Sequence, residues 1–445
     1  MKITFILPAI GKKAGQQYIA TWKKMEPLTV AVLKALTPPD IETEFFDDRL
    51  EFINYQTEAD LVAIPVEMYT AKRAYEIAGK FQNRGIPVIM GGYHVTLCPE
   101  EALEYADAVL IGNADKIWAN VIADARQQKL KKRYVGEAVF GYTIPDRSIF
   151  IGKKYAPIAL VETGRGCNHT CEFCAITACY KASYYPRPIA EIIADIKATD
   201  QKYIFFVDDN IAANPEYAIA LFKAVAPLKI KWTTQATLTI ARNPDMLYWM
   251  KKSGCEVILI GYESLDRHNL VQMKKDWSIK LGERDLLTRS IHDVGINIYA
   301  TFVFGFDFDT ANTFKTALSF AKRHKFFFTA FNHLLPFPGT KLHDRLLEED
   351  EGYQDRWWLK EGYCYGDIPF APKQFSASQL SEECARIRRK FFTLASIFQR
   401  SLALLGRKTN LFLFAVFLLE NLNLRKEVDG KLGMPIGRGL DDKPK

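Results

Sequence analysis

From Tyr155 onward the chain repeats one unit six times: a short apolar strand, a polar turn, then an amphipathic helix. Strand-like runs fall near 157–163, 203–207, 230–235, 256–261, 297–304 and 327–333. Helical patterns fall near 188–199, 214–226, 243–254, 279–294, 311–324 and 340–349. Strands separated by crossover helices pair in parallel, because a tight turn can join only antiparallel neighbours. Such units predict a (β/α)6 partial TIM barrel over residues 150–350. In barrels of this kind chemistry sits at the carboxyl ends of the strands.

Polar residues collect at those ends. The second strand runs into Asp208-Asp209-Asn210 and the third ends at Thr234-Gln235. The fourth runs into Gly261-Tyr262-Glu263-Ser264 and the fifth into Gly305-Phe306-Asp307. One acidic strand end is ordinarily a helix cap. Several around one rim exceed what caps need, above all with a cysteine loop on the first strand. That loop is Cys167-Asn168-His169-Thr170-Cys171-Glu172-Phe173-Cys174, just after Ile158-Ala159-Leu160-Val161. Three close thiolates can hold an iron–sulfur cluster by three corners and leave one iron open. The same thiols, with Cys179 or His169 as a fourth ligand, can hold a structural zinc. Spacing leaves both readings standing. Arg165 either pairs with an anion or lies in solvent.

The first 135 residues also alternate strand and helix. Strands are predicted at Ile3–Leu7, Ile41–Phe46, Leu61–Val66, Pro87–Met90 and Ala108–Ile111, with helices near 24–36, 71–84 and 115–128. This is the pattern of a doubly wound parallel sheet, which binds ligands beyond the carboxyl ends of its strands. Gly91-Gly92-Tyr93-His94 and Gly112-Asn113 stand there. Paired glycines let a backbone approach a ligand closely, or simply turn. No G-x-G-x-x-G for a dinucleotide is present, and His94 reads first as a hydrogen-bonded loop histidine.

At 445 residues the chain exceeds one ordinary core, and three divisions are expected: 1–135, 150–350 and 351–445. The start, MKITFILPAI, reads as a first strand and lacks the core and cleavage site of a secretory signal. Eight cysteines without a secreted framework suit a reducing cytoplasm. The net charge of +7 comes without the basic and aromatic interleaving of a nucleic-acid binder.

In the tail, the aromatic-rich stretch 351–375 is expected to close the barrel or line the substrate pocket. A long helical region is expected from about Ser378 to Leu404. Leu411–Leu419 is a run of nine apolar residues, well short of the about 20 that span a bilayer. No acidic residue lies between Cys384 and Leu419, while Arg386, Arg388, Arg389, Lys390, Arg400, Arg407 and Lys408 are basic. Two readings stand: a buried packing helix, or a peripheral segment that rests on an anionic membrane and admits a lipid substrate. From Gly430 the chain is rich in Gly, Lys and Asp and is expected to be disordered.

On these residues the chain resembles the radical S-adenosylmethionine (radical SAM) superfamily. The cysteine loop, Asp208-Asp209-Asn210, Gly261-Tyr262-Glu263-Ser264 and Phe304-Gly305-Phe306-Asp307 are similar to that family's motifs on the first, second, fourth and fifth strands. Ala59-Asp60-Leu61-Val62, Gly91-Gly92-Tyr93-His94-Val95-Thr96 and Pro99-Glu100-Glu101-Ala102 are similar to the cobalamin-binding, Rossmann-like domain that precedes the barrel in one subgroup. Phe370-Ala371-Pro372-Lys373 and the helical tail resemble the C-terminal extension of the hopanoid-methylase-like and anaerobic magnesium-protoporphyrin-cyclase-like members. The D-x-H-x-x-G run that supplies a histidine to cobalt in many cobalamin domains is absent.

The resemblance implies a 4Fe–4S cluster on Cys167, Cys171 and Cys174, with its open iron chelating S-adenosylmethionine (SAM). It places Phe173 near the adenine, and Asp208, Asp209 and Asn210 near the methionine amino group. Glu263 and Ser264 fall near the ribose or the amino acid end, and Gln235 joins the cofactor-binding set. Gly305 would admit a close approach, and Asp307 would hold its loop or touch substrate. Gly91, Gly92, His94 and Gly112 would border cobalamin. The implied activity is reductive SAM cleavage in an oxygen-sensitive, cytoplasmic enzyme, most simply a methyltransferase acting on an unactivated carbon of a small-molecule or lipid substrate. A flavodoxin or ferredoxin would donate the electron. A radical oxidoreductase, cyclase or mutase is the alternative, and a non-catalytic metal-binding interaction protein is the reading from another class.

Overall fold

The computed structural model describes residues 1–13, 24–141, 143–407 and 409–438. Its first sheet contains β1 (Lys2–Leu7), β2 (Glu42–Asp47), β3 (Leu61–Pro65), β4 (Val88–Gly91), β5 (Ala108–Ile111) and β6 (Arg133–Val135). The strands are parallel and lie in the order β2-β1-β3-β4-β5-β6, so the winding reverses between β1 and β3. Helices α1 (Leu28–Leu36), α2 (Ala71–Gln82), α3 (Tyr93–Leu97), α4 (Pro99–Leu103) and α5 (Trp118–Arg126) connect them. Side chains alternate across a strand, and here both faces are apolar. Ile3, Phe5, Leu61 and Ala63 pack into one core, while Ile6, Val62, Ile64 and Met90 pack into another. β6 escapes sequence reading because three residues at a sheet edge, two of them exposed, carry no pattern.

The second sheet follows from β7 (Ala159–Val161). A two-stranded antiparallel ribbon, β8 (Gly164–Gly166) and β9 (Tyr184–Pro186), brackets the cysteine loop. Then come β10 (Tyr203–Phe206), β11 (Lys231–Ala236), β12 (Cys255–Glu263), β13 (Asn297–Phe304) and β14 (Phe328–His333). The order β7-β10-β11-β12-β13-β14 is parallel throughout, and among the described residues β14 does not pair with β7. This is the open, partial barrel expected.

Its helices are α6 (Ala175–Tyr180), α7 (Ile189–Ala198), α8 (Pro215–Val225), α9 (Pro244–Ser253), α10 (Arg267–Gln272), α11 (Arg284–Asp293), α12 (Ala311–Arg323) and α13 (Lys341–Glu349). Asn214 and Asn243 each cap an orphan backbone N–H at a helix start, and a proline follows each at the first helical position. On β11, Trp232, Thr234 and Ala236 turn into the helix layer, where Trp232 stacks on Phe222. Thr233 and Gln235 occupy the opposite, half-buried face. The expected helix near 279–294 is shorter, because α10 and a single turn at Asp276–Ser278 precede it.

The tail is helical where expected, but other expectations for it are corrected. The helical region divides at Phe392 into α14 (Ala377–Phe391) and α15 (Leu394–Gly406), because the Thr393 hydroxyl caps a new start. The aromatic stretch divides: Trp357, Trp358 and Tyr363 are buried in the core of the first sheet, while Phe370 and Phe375 pack against the barrel core. Leu411–Leu419 opens a longer helix, α16 (Leu411–Lys431), whose Leu413 and Phe417 pack with Phe327 and Val257 at the amino-terminal feet of the strands. That is the end opposite the cysteine loop, so this segment does not admit substrate to the thiols. The chain from Gly430 is ordered as far as Arg438: Tyr365 donates to the Met434 carbonyl at 2.8 Å and Gly437 to that of Ile10 at 2.7 Å. The rest of that polar end, 439–445, lies outside the described residues, as does Lys408.

Candidate active site

The cysteine loop is held by its own backbone and by the second strand. A Cβ on Gly166, whose φ is +83°, would meet the Ser183 carbonyl oxygen at 2.2 Å, so glycine is required where the ribbon closes. Asp208 accepts the Thr163 N–H at 3.1 Å and the Thr163 hydroxyl at 2.7 Å. Asp209 accepts the Gly166 N–H at 3.2 Å. Burial pushes Asp208 up to about 8 and Asp209 up to about 6. Both carboxylates are thus engaged with the first-strand loop. Asn210 goes further: its side-chain amide donates to Cys167 Sγ at 3.7 Å.

Burial raises all three thiols above the usual cysteine range, Cys171 to about 12; the charge of Cys174 adds to this at Cys167, and those of Cys174 and Cys167 at Cys171. Backbone N–H groups of His169, Ile176 and Thr177 offset that penalty at Cys167 and Cys174. Sulfurs that receive hydrogen bonds and share one loop suit a cluster, whose potential such bonds tune. Among the described residues no three His, Cys, Asp or Glu side chains converge as ligands of a single metal ion; corners of a cluster stand farther apart. Cys179 lies on α6, and its thiol, near Cys174, is pushed up to about 12 by burial.

The fourth strand ends in a left-handed residue, Glu263 (φ +59°), after a shift in register with β13. Its carboxylate folds back over Gly261, where a Cβ would lie 2.0 Å from Glu263 Oε1. Lys275 Nζ donates to Glu263 Oε1 at 2.9 Å and to the Gly261 carbonyl at 2.7 Å. The same ammonium lowers the raised Cys171 thiol. Two residues on, Trp277 stacks on His169 at 3.9 Å between centroids and 8° between planes. Burial and the Lys275 charge hold His169 down at about 4. Lys275 and Trp277 were invisible to sequence reading, because their turn has no periodicity; a lysine spaced to reach the fourth-strand glutamate was the available clue.

The other predicted residues divide. Phe173 packs edge-on against Phe306 of the fifth-strand loop at 6.2 Å. Gln235 sits on the half-buried face of β11. Ser264 accepts from the Asp266 N–H and the Asn269 amide, shaping its own turn. Gly305 (φ +113°) approaches Leu380 and Phe370, which a Cβ would meet at 2.9 and 3.2 Å. Its close approach therefore serves the tail. Asp307 holds its loop to the tail through Lys373 at 2.6 Å. Asp309, not singled out in the sequence, fixes the turn by accepting from the backbone of Gly305 and Phe306.

The strand ends of the first sheet face this rim. Arg165 pairs with Asp115 at 2.8 Å and with Glu162 at 2.9 Å, all but out of solvent. Tyr180 donates to Asn113 Oδ1 at 3.2 Å, and a Cβ on Gly339 would meet Leu97 at 3.2 Å. The predicted glycines serve backbone contacts: a Cβ on Gly92 (φ +101°) would strike the Val66 carbonyl at 2.7 Å, and one on Gly112 that of Gly136 at 2.5 Å. Gly91 makes only ordinary contact, with Leu110. His94 is turned inward. Its Nε2 hydrogen-bonds Glu101 at 2.9 Å and its ring packs edge-on against Trp358. Burial alone would raise Glu101, but hydrogen bonds from His94, Trp358 and Tyr75 bring it below the usual range. His94 therefore fastens the tail to the sheet instead of standing at its ligand rim.

Residues 161–321 match the radical SAM superfamily. The chain is 27% identical to the bacteriochlorophyllide d C-12(1)-methyltransferase of Chlorobaculum tepidum over 413 residues, covering 88% of each chain. It is 25% identical to the hopanoid C-2 methylase of Rhodopseudomonas palustris over 73% of this chain and 65% of that one. Among solved structures, the radical S-adenosylmethionine methyltransferase TsrM from Kitasatospora setae, with cobalamin and a 4Fe–4S cluster bound, superposes with a TM-score of 0.63 at 14% identity, over 79% of this chain and 75% of that one. The cobalamin-dependent radical enzyme OxsB superposes with the same score at 13% identity, over 96% of this chain and 71% of that one. Residues 161–321 thus form a radical SAM domain, and the chain is an enzyme.

Proposed function

We propose that this enzyme is a cobalamin-dependent radical SAM methyltransferase that methylates a carbon of a tetrapyrrole-like substrate. The observation that carries the reading is the meeting of two rims. The carboxyl ends of both parallel sheets face each other across Arg165–Asp115 and Tyr180–Asn113, with the cysteine loop between them. A corrin on one rim and a cluster on the other would then share one cavity. Tetrapyrrole methyltransferases among the relatives support the substrate class. In this reading residues 1–135 hold cobalamin, 150–350 hold cluster and SAM, and 351–445 strap the two together.

When bound, the cluster supplies the electron that breaks a carbon–sulfur bond of SAM, and cobalamin supplies the methyl group. Cys167, Cys171 and Cys174 hold the cluster, and Asn210 hydrogen-bonds one of its sulfur ligands. Asp208 and Asp209 keep the loop in place through Thr163 and Gly166. Lys275 keeps Glu263 aimed through its hydrogen bond, while Trp277 shields the loop through His169. Excluding water protects a reactive carbon centre from quenching. A small soluble redox protein such as flavodoxin or ferredoxin is the natural electron source.

The test is anaerobic reconstitution with iron, sulfide and hydroxocobalamin, followed by a count of iron and cobalt and of 5′-deoxyadenosine. Cys167→Ala, Cys171→Ala or Cys174→Ala should remove iron and SAM cleavage, and Cys179→Ala should not. Protein that cleaves SAM yet retains no cobalamin would reduce the proposal to radical chemistry without methyl transfer.

A further inference from the structure

The helical hairpin α15–α16 is apolar on its outer face as well as on the face that packs against the barrel. On α15 the exposed residues include Leu394, Phe398, Leu402 and Leu405, at 59%, 63%, 52% and 60% exposure, spaced to form one stripe. The first turns of α16 add Leu411, Phe412, Leu419 and Leu422. These are eight of the nineteen exposed large apolar side chains among the described residues, gathered on one hairpin. Polar groups lie on the buried side. Arg400, 1% exposed, donates to the carbonyls of Phe326 and Phe327 at 3.2 Å and to Asn421 Oδ1 at 2.8 Å. No carboxylate pairs with it among its described partners. A surface helix in water carries polar residues on its outer face.

Charge identifies the occupant. Gly406 and Arg407, directly after Leu405, line a cleft of about 720 Å³ that also takes in Lys251, Arg289, Arg323 and Lys325, against only Asp285 and Asp293. An apolar stripe ending at a basic cleft matches acyl chains below an anionic headgroup. A second copy of the chain matches it poorly, since a two-fold contact would bring identical basic clefts together. No helix of the described residues is long and apolar enough to cross a bilayer, so the hairpin would lie in one leaflet.

We infer that the outer face of α15–α16 seats the enzyme on an anionic lipid surface, with the cysteine loop at the opposite end of the barrel. Of the basic residues expected to meet lipid, three are engaged within the chain. Arg386 pairs with Glu383, Arg388 with Asn332 and Arg389 with Asp429. Arg407, also of that set, lines the cleft, where Arg289 and Lys325 add charge beside Arg323 and Lys251, which pair with Asp285 and Glu256.

The test is sedimentation of the reconstituted, full-length enzyme with vesicles of phosphatidylcholine alone or with added phosphatidylglycerol. Binding is expected with the mixed vesicles and should weaken with salt. F398E together with L402E should reduce it at least about tenfold, since two buried apolar side chains are lost; iron content and SAM cleavage should be unchanged. Phe398→Gln gives a milder second variant should the double change disturb folding. Lack of binding by the wild type, binding that ignores both sets of substitutions, or equal binding to vesicles without phosphatidylglycerol would overturn the inference. Self-association abolished by F398E, without vesicle binding, would assign the face to a second copy and overturn it as well.

Discussion

Lys275 bonds both the carboxylate of Glu263 and the carbonyl of Gly261, and so clamps the left-handed end of the fourth strand. Glu263 is only 9% exposed and Lys275 6%. Removing one partner of a buried pair leaves a charge unpaired and costs about 3–5 kcal/mol. Lys275→Met should therefore destabilise the protein by roughly that amount and weaken SAM binding. Glu263→Gln also leaves the Lys275 ammonium without its counter-charge, but keeps an acceptor beside the Gly261 carbonyl and should cost less. Urea unfolding of both variants checks the order; equal losses would mean that Lys275 needs the charge of Glu263 and not merely an acceptor.

Asn210 donates to Cys167 Sγ, and a hydrogen bond to a cluster ligand favours the reduced, more negative state. Asn210→Leu should leave iron content intact and shift the cluster potential downward by tens of millivolts. That size follows from a hydrogen bond worth about 1 kcal/mol and a one-electron couple. Potentiometric titration followed by electron paramagnetic resonance reads it directly. An upward shift would contradict the assignment of Asn210 as donor.

Strand ends and the cysteine loop were legible in the sequence because chain direction alone puts them on one rim. What each residue does there was not. Asp208 and Glu263 read equally well as cofactor ligands, yet one is taken up by Thr163 and the other by Lys275, and those partners are 45 and 12 residues away. Gly92 and Gly305 read as approaches for a ligand, but the atoms that approach them are Val66 and Leu380 of the chain itself. Sequence shows that a position needs glycine without showing what presses on it. Likewise the apolar run at 411–419 has no periodicity that separates its buried Leu413 and Phe417 from its exposed Leu411 and Leu419.

Arg165 and Asp115 join the two rims and offer a cleaner probe of cobalamin than the glycines. A side chain at Gly92 would damage the backbone whatever ligand is present. Asp115→Ala removes one of two carboxylates from a buried guanidinium, a loss of about 1.5–3 kcal/mol in charged hydrogen bonds. Glu162 still pairs Arg165, so the cysteine loop should keep its iron. Cobalamin retention after gel filtration should fall in this variant. Iron loss in equal measure would place Asp115 in the support of the cluster loop and not in the alignment of the rims.

His292 sets a pH dependence that can be isolated. It is buried, and its Nδ1 accepts from Arg407 at 2.9 Å. Burial first, then the charges of Arg407 and His324, hold it down at about 2. Its folded value lies below its unfolded one, so its contribution is present above about 6.5 and fades as pH falls through that value toward 2. Each pH unit in that window costs about 1.4 kcal/mol. Asp208, Asp209 and Asp309, raised by burial to about 8, 6 and 6, act in the other sense: their contribution is present below about 3.8 and lost as pH rises. The wild-type profile therefore mixes opposing slopes. His292→Gln keeps an acceptor for Arg407 and removes only the imidazole. Its stability deficit relative to wild type should shrink by about 2–3 kcal/mol between pH 6.5 and 4.5, where the wild type alone pays for excluding a proton. Urea unfolding at the two pH values measures the difference, and a deficit that does not change with pH would show that His292 protonates within the folded protein.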